Sequence, residues 1–388
     1  MLIKKHSEKN FIFFLIVFLL FSCKNESNEN KNHTNGEEEW LEDYESPNIK
    51  WGFLDKNGKV AIDLMYDDVR DFNDGLAIAN LKGKWGYIDK KGNAIIPFSY
   101  LNAYEFHDSL ARVQDFDKKF YFIDKSGKKR FECLGNDCSD FETKTAIFTK
   151  DEMKGLINNK GEKIVDAAFS SIKKINDSKF IVSQGELYGV IDFKGNFIIK
   201  PQYEKINILD NNNLSFKKDG LYQWFDTNTL KPKSEKKYKK LSQIQGEYLV
   251  AKDEKSSTIV DVDGKEYYKS QGELLLGGEG FWIEILNESS QLIDKHGNKI
   301  GPPYQQLYKM SNGIIGFQKD DLWGYMDNKG KEVVPPSFTI IWDAYEDRIR
   351  FANEYGYGFM DLTGKLKVLP KFVEARDYKD GLARVASF

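Results

Sequence analysis

The sequence predicts an all-β fold, an array of about ten 34-residue antiparallel β-meander repeats with propeller-like packing. Three observations carry this. An acidic or amide residue recurs at Asp55, Asp89, Asp124, Asn158, Asp192, Asp226, Asp261, Asp294, Asp327 and Asp361, in steps of 33 to 35 residues. Three residues after each stands a glycine, from Gly58 to Gly364, except in the sixth copy, where Thr229 replaces it. Around these turns apolar residues alternate with a period of two, and no segment of 50–388 sustains a 3.6-residue amphipathic pattern. The ten copies tile 50–388 and leave no room for another domain.

The second copy shows the parts of a unit. In "KWGYIDKKG", Trp85, Tyr87 and Asp89 fall on one face of a strand and Gly86 and Ile88 on the other. The Asp-x-x-Gly turn follows, with Asp bonding back to the backbone and Gly accepting positive φ. The next strand, "NAIIP", is expected to end at Pro97, which has no N–H for the ladder. A stretch such as "YDDVRDFND" reads as a short strand or a turn. "GLAIA" or "SLARV" then forms another strand, and a tight turn leads to the next Trp-Gly. The Trp is expected to bury a large area between repeats, and the Gly to permit close approach of a ring or of backbone.

Copies of "KWGYIDKKGNAIIPFSYLNAYEFHDSLARV" run through the chain, best kept in the first two and last two units. They resemble WG repeats, also described as WG-beta or KWG-type repeats of bacteria. The resemblance covers 50–388. In successive middle units Trp85 becomes Phe120, Lys154, Tyr188, Tyr222, Ser257 and Ser290. The resemblance implies no catalytic signature.

The phase of the repeat bears on architecture. The first copy opens on a Trp-Gly strand and the last closes on "GLARVASF". Pairing Leu382–Ala386 with Trp51–Asp55 would close a ring. Ten units exceed the four to eight blades usual in propellers, so a closed ring, an open β-superhelix and two five-unit rings all stand as alternatives.

The N-terminus reads as a targeting segment. Lys4, Lys5 and Lys9 precede the eleven-residue apolar run "FIFFLIVFLLF" at 11–21, long enough for a signal peptide and too short to span a bilayer. The run ends in "LLFSC", which resembles the lipobox of bacterial lipoproteins. The resemblance implies a signal peptide over 1–22 and lipidation of Cys23. The segment 23–49 is polar, rich in Asn, Glu and Lys, and reads as a disordered tether. Cys133 and Cys138, in an exported chain, are either a disulfide across a short loop or two free thiols.

Chemistry-bearing residues are scattered. The four His residues, His6, His33, His107 and His296, form no constellation with Cys, Ser or Asp at catalytic spacing. "DVDGK" at 261–265 starts like a calcium loop but lacks the terminal Glu, and Asp261 occupies the turn position of every copy. The pairs Asp67–Asp68 and Asp320–Asp321 are expected on solvated loops, as is the basic "KPKSEKKYKK" at 231–240. With a net charge of −3 and no phosphate-binding loop, no nucleic-acid partner and no cofactor is expected. The expected function is a non-enzymatic binding scaffold of the cell envelope. It would be held by a lipid in the outer membrane, periplasmic or surface-exposed, and engage a protein or glycan. Its partner-specific surface is expected in the degenerate units, roughly 119–321. The alternative is an envelope hydrolase or glycan-processing protein, which would need two or more carboxylates converging on a cleft from different units.

Overall fold

The computed structural model describes residues 48–388 except 211 and 262. Cys23, the signal-peptide segment and nearly all of the tether lie outside the described residues. Forty strands form ten four-stranded antiparallel sheets, the blades of one β-propeller.

The blade is out of phase with the sequence repeat. One blade consists, in spatial order, of Asp68–Val69, Ala77–Leu81, Lys84–Ile88 and Ala94–Tyr100. Its first two strands come from the end of one repeat and its last two from the start of the next. We number this blade 1. Blades 2 to 9 follow in chain order and begin at Asn102, Asp137, Ser171, Lys205, Lys240, Glu273, Gln306 and Ile340. Blade 10 joins the two ends of the ring in the order Val60–Tyr66, Lys50–Asp55, Leu382–Ser387, Glu374–Lys379. Trp51 pairs with Ala386 and Asp55 with Leu382. The half-repeat offset is what makes closure possible, because each end of the array supplies the half-blade the other lacks. The open superhelix and the two smaller rings are thereby excluded. First strands of neighbouring blades approach one another whereas fourth strands do not, so the first strands ring the axis.

The sequence left "YDDVRDFND" between strand and turn. In every blade this stretch supplies the inner strand, and in several the strand is interrupted. In blade 2, Ala103 pairs with Val113 and Phe106 with Ala111, so Tyr104 and Glu105 together face Arg112 across a β-bulge. The same bulge holds Trp342–Asp343 opposite Arg350 and Arg376–Asp377 opposite Arg384.

The core lies between blades. Phe53, Ile62 and Tyr66 of blade 10 pack on Val69, Phe72, Ala77 and Ile88 of blade 1. Tyr87, Ile96 and Tyr100 of blade 1 pack on Ala103, Phe106 and Ile123 of blade 2 in the same way. The third strand is thus buried on both faces along Gly86–Ile88. The Trp of the pair packs against the margin of this core rather than at its centre. Trp51, Trp85 and Trp323 are only half-buried.

The Gly of the pair has a sharper cause. In blade 1, Trp85 pairs with Tyr100 but Tyr87 with Ile96, so the fourth strand carries two extra residues opposite Gly86. The bulged backbone leans onto the glycine. A Cβ there would lie 2.7 Å from the Ile96 carbonyl oxygen and 2.9 Å from the Phe98 nitrogen. Gly52, Gly155, Gly189, Gly324 and Gly358 meet the same carbonyl at 2.5 to 2.7 Å. In the eighth copy, which has Gln291, the bulge persists, with Ser290 opposite Tyr304 and Leu292 opposite Ile300; in the other copies that lack the Gly it changes. Thr258 pairs directly with Lys269, and Tyr121 with Glu132. Pro97 therefore does not end its strand. The strand runs to Tyr100 and Pro97 sits in the bulge, where no ladder N–H is required.

The Asp-x-x-Gly turn forms as expected. Asp55 Oδ1 accepts from the Asn57 and Lys59 amides at 2.8 and 2.9 Å, and the Gly58 amide donates to the Asp55 carbonyl at 2.9 Å. These donors, led by Lys59 N–H, hold the Asp55 carboxyl below its ordinary value. In the sixth copy the Thr229 amide and hydroxyl donate to Asp226, and Leu230 takes the positive φ instead of a glycine.

Candidate functional site

The positions with most chemical character cluster along the inner strands of blades 8, 9, 10, 1 and 2. Ring closure makes these five neighbours, although they come from opposite ends of the sequence. In each, a residue of the inner-strand bulge lies over the aromatic that opens the third strand. Tyr308 lies 4.9 Å from Trp323 and Trp342 5.5 Å from Tyr357 between ring centroids. Arg376 stands 5.7 Å from the Trp51 ring and Arg70 5.1 Å from Trp85. Tyr104 lies 6.4 Å from Phe120. Trp51, Trp85 and Trp323 thus lie between a residue of their own blade and the margin of the inter-blade core, which leaves them half-buried.

A second layer links blade to blade through the Arg of the "LARV" strand. Arg112 stacks 3.8 Å above the Tyr104 ring and reaches into blade 3, with Nη1 2.8 Å from Asp137 and Nε 3.1 Å from Asp140. Arg350 lies 4.3 Å above Trp342, donates to the Ala375 carbonyl and pairs with Asp377 at 2.9 Å. Arg384 donates to the Val69 carbonyl at 2.9 Å and pairs with Asp71. In blade 1 this position is Ile78, and Arg70 from the bulge donates to the Ala103 carbonyl at 3.1 Å instead. Four successive junctions, from blade 9 through to blade 3, thus set a guanidinium against the next inner strand. Burial pushes the Asp140 and Asp377 carboxyls up against the opposing pull of Arg112 and Arg350, and lowers Arg350 itself.

The junction from blade 8 to blade 9 is different. Gly316 stands at the arginine position. A small hollow open to solvent is lined there by Tyr308, Lys309, Gly316, Ile341, Trp342 and Asp343 among others.

The residues singled out in the sequence are dispersed. Cys133 and Cys138 are joined by a disulfide, with Cα atoms 6.1 Å apart, that ties the end of blade 2 to the inner strand of blade 3. Asp261 accepts from the Asp263 and Lys265 amides in the same turn as the other copies. Among the described residues no group of three or more His, Cys, Asp or Glu side chains could hold a metal ion. Asp67 accepts from the Lys82 amide and pairs with Lys50, and Asp321 exchanges hydrogen bonds with Gln305, so both pin hairpins. His107 Nε2 lies 3.9 Å from Glu105. The basic stretch is not a loop, since Pro232–Tyr238 is the fourth strand of blade 5. What the sequence reading missed was the bulge–arginine ladder. Its one visible trace is the Arg of "SLARV", "DRIRF" and "GLARV".

The fold and its repeating sheets define a ten-bladed β-propeller. The profile of the WG containing repeat matches residues 51–85, 85–120, 155–188, 188–222, 323–354 and 357–386, together half of the chain, and the chain belongs to that family. These six matches are the copies that carry Gly52, Gly86, Gly155, Gly189, Gly324 and Gly358. The unmatched copies have Tyr121, Gln223, Thr258 and Gln291 at that position. No curated protein matches the sequence. Among solved structures, a eukaryotic initiation factor superposes with a TM-score of 0.46 at 12% identity, over 73% of this chain and 92% of that one. BamB from Moraxella catarrhalis gives 0.34 at 13% identity, over 87% and 98%. PorZ, a type-IX secretion component of Porphyromonas gingivalis, gives 0.29 at 8%, over 78% and 51%.

Proposed function

We propose that the chain is a lipid-anchored, non-enzymatic binding scaffold of the bacterial cell envelope. The observation that carries this reading is the contiguous five-blade sector, in which bulged inner strands place aromatics and acids at the blade junctions, where arginines meet them. A rigid closed ring with such a sector suits recognition, because its side chains are held by packing before a partner arrives. The sector's chemistry argues for binding rather than hydrolysis. Asp71, Asp140 and Asp377 are each engaged by an arginine, and Asp343 is the one carboxylate lining the hollow. A glycosidase needs two carboxyl groups facing one bond. The hollow lies where the degenerate stretch 119–321 gives way to the well-kept ninth unit, next to the expected partner surface.

Crosslinking in the native membrane followed by recovery of the chain tests the reading. A specific protein or glycan partner, lost when the axial sector is substituted and retained when the outer strands are, is the predicted result. Turnover of an envelope glycan by the purified ring would contradict it. The anchor is tested separately with a fatty-acid probe, whose incorporation should vanish in Cys23→Ser.

A further inference from the structure

The blade 8–blade 9 junction keeps the surroundings of the inter-blade guanidinium without the arginine. Tyr308 occupies the place of Tyr104 and Trp342, the aromatics beneath Arg112 and Arg350. Asp343 occupies the place of Asp377 and Asp140, the acids those arginines meet. Asp343 makes no hydrogen bond or ion pair among the described residues, and Tyr308 is 47% exposed. At Gly316 a Cβ would lie 2.3 Å from Ile341 Cδ1, so no side chain enters the hollow from that strand while Ile341 keeps its place. Lys309 also lines the hollow, but it is exposed and its ammonium can turn to water.

We propose that this hollow binds an arginine side chain of a partner protein, which supplies in trans the guanidinium that the four junctions from blade 9 to blade 3 supply in cis. A guanidinium suits the site better than an ammonium. It stacks flat on the Tyr308 ring while its edge presents paired donors to the Asp343 carboxylate. The inference deepens the binding-scaffold reading and rests on it. It names the group recognised and places the contact at one junction of the ring.

The test is a titration of the full chain with a Gly-Arg-Gly amide peptide, read from the indole resonances of Trp323 and Trp342. The lysine and citrulline counterparts are titrated in parallel. Saturable shifts with the arginine peptide are expected, with the neutral citrulline peptide at least about tenfold weaker. Asp343→Asn, which keeps shape and removes charge, should weaken binding by about tenfold as well. Equal binding of arginine and citrulline, or unchanged binding by Asp343→Asn, would overturn the proposal. Lysine binding as tightly as arginine would overturn its guanidinium specificity. Failure of the arginine peptide alongside intact crosslinking to an envelope partner would remove this inference and leave the scaffold reading in place. Loss of both would remove the scaffold reading too.

Discussion

Trp51, in the first strand of the ring, lies beside Ala386, in the last, and the two ends of the array complete one blade between them. Closure in this geometry couples every blade to two neighbours. Deleting Leu382–Ser387 would strip the Lys50–Asp55 strand of one partner and expose Phe53 and Leu54, both fully buried in the closed ring. The truncated chain is expected to lose its single cooperative melting transition. Calorimetry of the full and truncated chains, with light scattering to detect pairing through the freed edge, checks this.

Gly86 is predicted to be a position where a single methyl group is costly. Its Cβ would strike backbone at 2.7 Å, and bulged backbone cannot rotate aside as a side chain can. Gly86→Ala should cost about 2–3 kcal/mol, at the upper end of overpacking effects. The contrasting variant is Gly75→Ala, where nothing lies within 4 Å and only the positive φ is strained; it should cost about 1 kcal/mol. Chemical denaturation of the two variants separates steric from conformational causes.

Arg350 is 7% exposed at its side chain and holds Asp377 of the next blade. Removing only the arginine leaves a half-buried carboxylate without its cation. Arg350→Met is expected to cost about 3 kcal/mol. Adding Asp377→Asn should recover a substantial part, because the uncompensated charge disappears with the acid. A double-mutant cycle on unfolding free energy measures the recovery, and additive losses would contradict the pairing.

The pH dependence of stability should have two arms. Asp55, Asp89, Asp124, Asp226 and Asp361 titrate below the ordinary value of 3.8, held down by turn amides and neighbouring side chains. Their contribution is complete above about pH 4 and is lost as the pH falls through their folded values. Asp140 and Asp377 titrate above 3.8 because they are partly buried. They weaken the fold at neutral pH and cease to do so as they protonate on the way down to 3.8. Melting temperature should therefore rise modestly from neutral pH toward about 5 and fall steeply below about 4. Asp140→Asn should flatten the upper arm and leave the lower one unchanged.

The sequence disclosed those parts of the fold that depend on contacts within one repeat. The Asp-x-x-Gly turn spans a few residues, and its chemistry is written in them. Closure was visible in the repeat's phase, though its choice over an open spiral depends on small rotations between blades that no single unit encodes. The reason for Gly86 was hidden because it lies in a slipped register with Ile96 and Pro97, and a period-two pattern does not show slippage. The inner strand was ambiguous for the related reason that the Tyr104–Glu105 bulge breaks its alternation. The candidate site was least legible. Arg112 and Asp140 are 28 residues apart, in different blades, and become partners only when the blades are set side by side. Gly316 draws notice only when aligned with Arg112, Arg350 and Arg384, and then by what it lacks.

The central claim is that this ring meets its partner along the axial sector rather than at its rim. Photo-crosslinking residues placed singly at Tyr308 and Tyr345 on inner strands, and at Ile95 and Leu369 on outer ones, test it in intact cells. All four positions are exposed, between 44% and 66%. The account predicts discrete adducts from the inner positions and none from the outer pair. Adducts confined to Ile95 and Leu369, or equal from all four, would contradict it.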